Sequence, residues 1–145
     1  MDLVYKATML TQGGRSGQIQ SDDGSFKLKL AVPKEMGGSS IGPNPEQLFA
    51  GAFAACFEHS IRHIAKHDKL PLRGCYVEAV LSMYVNFEGA YRMALGLTAF
   101  MAGELDQATA DNLMERAKGI CPYVDATKTN MTLNLKAVLD TPVPA

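Results

Sequence analysis

The sequence predicts an α+β fold on three observations. Asn44-Pro45-Glu46-Gln47 signals the start of a helix that continues into an unbroken apolar run. Two segments then alternate apolar and polar residues on either side of a turn near Glu88-Gly89, and a last alternating segment runs from Met131 to Leu139. A chain of 145 residues fits one domain, 1–145, and buries about two thirds of the surface of its unfolded form, so neither metals nor disulfides are needed to hold it together. No repeat, low-complexity tract or interdomain linker interrupts it. The stretch GGSSIG at 37–42 reads as a single loop.

In chain order, short strands are expected around 3–9, 16–21 and 25–31. Turns fall at Gly13-Gly14 and at Asp22-Asp23-Gly24, the second with the residues of a hairpin. Asn44 suits the cap of the first helix, Pro45 its first position and Gln47 the reciprocal place of a capping box. From Leu48 to Phe57 the helix is apolar nearly all round, which predicts burial on several sides. Beyond it EHSIRHIAKHDK turns amphipathic, and the helix must stop before Pro71. Val77, Ala79, Leu81, Met83 and Val85 form one face of a strand, and Tyr91, Met93, Leu95, Leu97 and Ala99 the matching face of its antiparallel neighbour. A second helix is expected over about 105–118, with Leu105, Ala108, Leu113 and Ala117 on one side and Gly119 as its stop. Cys121 follows. The strand at 131–139 is half-buried and leads into a proline-containing tail with Pro142 and Pro144.

Composition narrows the function. Hydrophobic residues at 47% and a formal net charge of -1 leave no basic face for nucleic acid. No segment approaches the roughly 20 apolar residues of a membrane span, and MDLVYKATML has no signal-peptide pattern, so a cytoplasmic protein is expected. Three cysteines, an odd number, argue against a secreted disulfide framework.

The reactive form of a cysteine is the thiolate, and an apolar setting by itself raises a thiol's pKa. Cys56 sits in the apolar half of the first helix, so a cation must reach it from elsewhere in the chain. Arg15, in the turn GGRSG, is a candidate.

NPEQLFAGAFAACF and CPYVDATKTN resemble the two signature segments of the organic hydroperoxide resistance (Ohr) proteins, within the wider OsmC/Ohr family. The similarity extends to TQGGRSGQIQSDDG, to VPKEMGG and to the order of elements, so it covers nearly the whole chain. It implies an intertwined homodimer, with a long buried helix packed against antiparallel sheets built from both chains. It also implies a peroxidase in which Cys56 attacks an organic hydroperoxide and Cys121 resolves the resulting sulfenic acid as a disulfide. Arg15 matches the family's arginine and Glu46 its glutamate. Arg15 then stabilises the thiolate and the developing charge on the peroxide oxygen, while Glu46 fixes the guanidinium through a two-pronged salt bridge. The implied reductant is an external dithiol, dihydrolipoamide carried on a protein, and no metal or organic cofactor is required. Met36, Ile41, Phe49 and Phe53, around the signature segments, are candidates for an apolar substrate pocket.

The chain departs from the family pattern at Glu58 and His59, where relatives carry small or apolar residues, and at Lys128 and Thr129 beyond the second cysteine. His59, His63 and His67 form a stripe at helical spacing. A linear stripe does not surround one metal ion, so solvated histidines are expected. Cys75 reads as structural. Two rival readings are an OsmC-type stress peroxidase with other substrate tuning and a non-catalytic thiol sensor.

Overall fold

The computed structural model describes residues 1–139. The chain divides into two compact units, Met1–Leu48 and a second that begins at Phe49.

The first unit holds a three-stranded antiparallel sheet of β1 (Met9–Gln12), β2 (Gln18–Ser21) and β3 (Lys27–Lys29), in that order. The first strand lies later than the expected 3–9. Its ladder begins where Met9 faces Ser21, and residues 1–8 have no ladder partner among the described residues, so pairing rather than local alternation sets the strand's start. β1 and β2 are joined through a 3-10 turn at Gly14–Ser16. Gly13 there has a φ of 82°, and a Cβ at Gly17 would fall 1.8 Å from the Gln12 carbonyl oxygen. The turn at Asp22-Asp23-Gly24 joins β2 to β3. The Asp23 carboxylate accepts from the Ser25 amide and from the Ser21 and Ser25 hydroxyls, which hold its acid down to about 2, the Ser21 bond contributing most.

Helix α1 (Pro45–His67) opens as its sequence predicts. The Gln47 amide N–H donates to Asn44 Oδ1, and Gln47 Oε1 accepts from the Asn44 amide, both at 2.9 Å, which completes the capping box. The apolar half is not buried on several sides within this chain. Phe53 and Phe57 are buried, whereas Gly51, Ala52 and Ala55 on the other side are exposed. Farther along, Ser60, Ile61, Ile64 and Ala65 are buried and the charged residues face out. The helix ends before Pro71, with Lys69 in the left-handed region at φ 54°.

In the second unit β4 (Leu72–Val85) pairs antiparallel with β5 (Tyr91–Gly103), matching Val77 with Ala99, Ala79 with Leu97 and Leu81 with Leu95, so the two alternating sets share one face. The turn between them closes on Gly89 at φ 79°, and Asn86 Oδ1 accepts the amides of Glu88 and Ala90. Helix α2 (Gln107–Ile120) begins later than expected because Asp106 caps it, accepting from the Thr109 amide at 2.7 Å. Leu105 precedes the helix and Ala108 is exposed, while Ala110, Leu113, Met114 and Ala117 form the buried stripe. Gly119 lies inside α2 and does not stop it. The stop is Cys121, whose successor Pro122 starts a further helix, α3 (Pro122–Thr127), for which the sequence analysis has no element.

The last strand, β6 (Thr132–Leu139), lies beside β5 and parallel to it, so the second sheet is mixed rather than antiparallel throughout. The cause is the helical crossover of α2 and α3, which returns the chain to the same end of the sheet. The tail with Pro142 and Pro144 lies outside the described residues. Phe53, Phe57 and Ile61 of α1, Leu95, Leu97 and Met101 of β5, and Leu113 and Ala117 of α2 form one buried cluster with Cys121. Each large side chain there contributes roughly 1.5–3 kcal/mol of burial. No helix among the described residues is long and apolar enough to cross a membrane.

Candidate functional site

In the second unit, Cys56 and Cys121 meet. Cys56 projects from α1 into the margin of the core, and Cys121 occupies the single extended residue between α2 and α3, at φ -73° and ψ 119°. That junction fixes its position. The Cys121 amide donates to the Ala117 carbonyl to finish one helix, and its own carbonyl accepts the Asp125 amide to begin the next. The two sulfurs lie 3.7 Å apart, with Cys121 Sγ donating toward Cys56 Sγ. Both are free thiols; Cys121 is buried and Cys56 is partly exposed.

The electrostatics at Cys56 are those of an oily site. Burial pushes its thiol above the ordinary value, the adjacent Cys121 thiol adds to the rise, and only the backbone N–H of Tyr123 acts against it. The Tyr123 ring packs edge-on against Phe53 at 5.6 Å, and Phe53 meets Phe49 at 6.0 Å, so an aromatic row flanks the thiol pair. Sequence reasoning gave Tyr123 no role. Pro122 was the available signal, since proline at the first position of a helix aims the following amides toward whatever precedes it.

In the first unit, Arg15 and Glu46 meet. The guanidinium makes two parallel bonds, Nη1 to Oε2 at 2.8 Å and Nη2 to Oε1 at 2.6 Å, a two-pronged pair 31 residues apart in sequence. The GGRSG turn presents the arginine, and the first turn of α1, set by the Asn44 cap, presents the carboxylate. The Arg15 bonds hold the Glu46 carboxyl below its usual range, against a smaller opposing effect of burial. A planar guanidinium clamped in this way has a fixed orientation and keeps its charge at any physiological pH.

Met36 and Ile41 line a cleft of about 360 Å³ in the same unit, with Ser16, Leu30, Ala31 and Val32 among its other walls. Phe49 and Phe53 belong to the core of the second unit.

The third thiol is set apart chemically. Cys75 is buried on β4 and its thiol is pushed up to about 11, by burial first and by the Glu58 charge second. Its carbonyl accepts from Arg62 at 2.7 Å, and Arg62 also pairs with Glu58, which binds α1 to β4.

Comparisons with known proteins show the family and the fold. The family model described as OsmC-like protein matches residues 37–136. The chain is 35% identical over 137 residues to an organic hydroperoxide resistance protein of Xanthomonas axonopodis pv. citri, covering 92% of this chain and 94% of that one. It is 32% identical over 133 residues to the organic hydroperoxide resistance protein OhrB of Bacillus subtilis, covering 92% and 97%. Among solved structures, an organic hydroperoxide resistance protein from Legionella pneumophila superposes with a TM-score of 0.89 at 37% identity, over 94% of this chain and 98% of that one. The crystal structure of Bacillus subtilis OhrB superposes with a TM-score of 0.81 at 31% identity, over 92% and 98%.

Proposed function

The chain belongs to the OsmC-like protein family, and from that premise we propose that it is a thiol peroxidase that reduces organic hydroperoxides to alcohols. The observation that carries the reading is the 3.7 Å separation of Cys56 Sγ and Cys121 Sγ, a nucleophile and a resolving thiol already in contact.

The Cys56 thiolate attacks the terminal oxygen of the hydroperoxide. A sulfur–oxygen bond forms as the oxygen–oxygen bond breaks, sulfur supplies the electron pair, and the alkoxide takes a proton and leaves as the alcohol. Cys56 is now a sulfenic acid. Cys121 attacks that sulfur, the sulfur–oxygen bond breaks, and hydroxide leaves as water with the thiol proton. Bringing the sulfurs to the roughly 2.05 Å of a disulfide is a local movement of side chains and the α2–α3 junction. An external dithiol, dihydrolipoamide on a carrier protein in our reading, exchanges with the disulfide, becomes oxidised and returns both cysteines to thiols.

Because every influence from its own surroundings except the Tyr123 amide raises the Cys56 thiol, the reaction needs a cation at the sulfur. We assign that task to Arg15 and the task of orienting it to Glu46, and what supports the assignment is their two-pronged bond together with the family pattern. Met36, Ile41, Phe49 and Phe53 are assigned to the apolar substrate pocket. The working form we propose is a homodimer in the reducing cytoplasm. A second copy would cover apolar groups that a single chain exposes, among them Gly51, Ala52 and Ala55 of α1 and Tyr84, Phe87 and Tyr91 at the β4–β5 turn.

The test measures consumption of cumene hydroperoxide, a fatty-acid hydroperoxide and hydrogen peroxide, with dihydrolipoamide as reductant, in wild type and Cys56→Ser. Organic peroxides are expected to be consumed fastest and only by wild type. Turnover that persists in Cys56→Ser overturns the proposal.

A further inference from the structure

The Tyr123 ring stands edge-on against the Phe53 ring, with centroids 5.6 Å apart and planes at 89°. Tyr123 comes just after Cys121 at the start of α3, and Phe53 lies one turn before Cys56 on α1, so a single ring contact joins the segments that carry the two thiols. We propose that Tyr123 is a positioning residue for the second step of the reaction: its ring, braced on Phe53, holds the α2–α3 junction so that Cys121 reaches the sulfur of Cys56.

The brace on the α1 side is rigid. Phe53 is fully buried in the cluster of the second unit and shares one side of the helix with Cys56, so its ring and that sulfur keep a fixed relation. The Tyr123 ring meets it in the edge-to-face arrangement that aromatic pairs favour. On the other side the backbone carries the constraint to the thiol. The Thr127 hydroxyl donates to the Tyr123 carbonyl at 2.7 Å, and the Asp125 amide donates to the Cys121 carbonyl at 3.1 Å, so α3 turns as one piece with the residue that bears the sulfur. The Tyr123 amide acts on the Cys56 thiol from the same segment, lowering its pKa.

Core packing does not account for this ring. Val124 already seats α3 in the buried cluster, whereas Tyr123 is 39% exposed. What the ring adds is a second point of attachment, which fixes how α3 is rotated about Val124. That rotation matters because the sulfurs must close from 3.7 Å to roughly 2.05 Å, and a misplacement of about 1 Å slows a reaction by up to about a hundredfold. The proposal deepens the peroxidase reading and rests on it for the step it names. Its test uses no peroxide, so the two fail separately.

The test treats the reduced chain, in a Cys75→Ala background, with one equivalent of dithiodipyridine. The Cys56 thiolate opens the reagent's disulfide, releases one thiopyridone and becomes a mixed disulfide. Cys121 then attacks the Cys56 sulfur, and the second thiopyridone leaves with the Cys121 proton as the Cys56–Cys121 disulfide forms. Both releases are followed by absorbance in stopped flow. Tyr123→Ala is expected to lower the ratio of the second rate to the first by about tenfold, and Tyr123→Phe, which keeps the ring, to restore it to within about twofold. Tyr123→Leu carries the same expectation as Tyr123→Ala and replaces it if the alanine variant departs from the wild-type circular dichroism. A ratio unchanged by loss of the ring, or one that stays low in Tyr123→Phe, overturns the proposal.

Discussion

Cys121 Sγ lies 3.7 Å from Cys56 Sγ although the two residues are 65 positions apart in the chain, because one ends α2 and the other sits midway along α1 beside the same apolar cluster. Their contact sets a stoichiometry. One equivalent of hydroperoxide is expected to consume both thiols of wild type in a single turnover, read by thiol titration. In Cys121→Ser the reaction should stop at a sulfenic acid, detected by mass spectrometry after trapping with a carbon nucleophile. Cys56→Ser should lose at least about a thousandfold in peroxide consumption, the scale on which loss of a covalent nucleophile is felt.

In the proposed mechanism Arg15 is the cation that favours the Cys56 thiolate. Burial raises that thiol, and on this reading loss of the guanidinium raises it further, so the rate-versus-pH profile of Arg15→Ala should move to higher pH. A rise of one unit lowers the rate near neutral pH by about tenfold. Arg15→Lys should recover little of this, because an ammonium does not reproduce the two-pronged bond to Glu46. Stopped-flow measurement of the first turnover over a pH series checks both.

Glu46 links the same pair to acid stability. Its carboxyl is held below the usual range in the folded state, so the stabilisation is present above the unfolded value of about 4.3 and is lost as pH falls through the lower folded value. Chemical denaturation between neutral pH and pH 3 should show wild type losing stability over that range more steeply than Glu46→Gln, which has no proton to take up.

The turn that carries Arg15 depends on the absence of a side chain at Gly17. Gly17→Ala would bring a Cβ to within 1.8 Å of the Gln12 carbonyl oxygen, a backbone atom that cannot step aside, and should remodel the turn and impair the first turnover. Gly14 has a φ of 56° with open space around the added atom, so Gly14→Ala should cost only about 1 kcal/mol of backbone strain, measured as a shift in denaturant midpoint.

Cys75 provides an internal control. Its thiol, pushed up to about 11, is almost wholly protonated at pH 8, so iodoacetamide should leave Cys75 unmodified in the native protein, as peptide mapping would show. Cys75→Ala should keep the peroxide reaction within about twofold of wild type, as expected for a residue outside the reacting groups.

Much of this fold was legible because its signals are local. The Asn44 capping box, the Asp22-Asp23-Gly24 turn and the matched alternation of β4 and β5 each follow from the preferences of a few adjacent residues. The sequence expectation and the structure differ where a distant partner decides: β1 starts at Met9 because Ser21 pairs there, and β6 runs parallel because two helices intervene. They differ locally at Gly119, which stays helical because the stop is the extended residue at Cys121. Helix α3 has a local signal in Pro122 at its first position, but its six residues are too few to show a helical period.

The sequence by itself determined the class of fold, the start of α1 and, through its two signature segments, the family. The resemblance implied that Cys56 pairs with Cys121 and Arg15 with Glu46; tertiary structure decided their geometry, a 3.7 Å sulfur separation and bonds of 2.8 and 2.6 Å from the two Nη atoms, and decided that the far side of α1 is exposed within one chain. The reason is range: capping, turns and alternation are encoded within a few residues, whereas a 3.7 Å approach of two sulfurs depends on how helices and strands pack over the whole second unit.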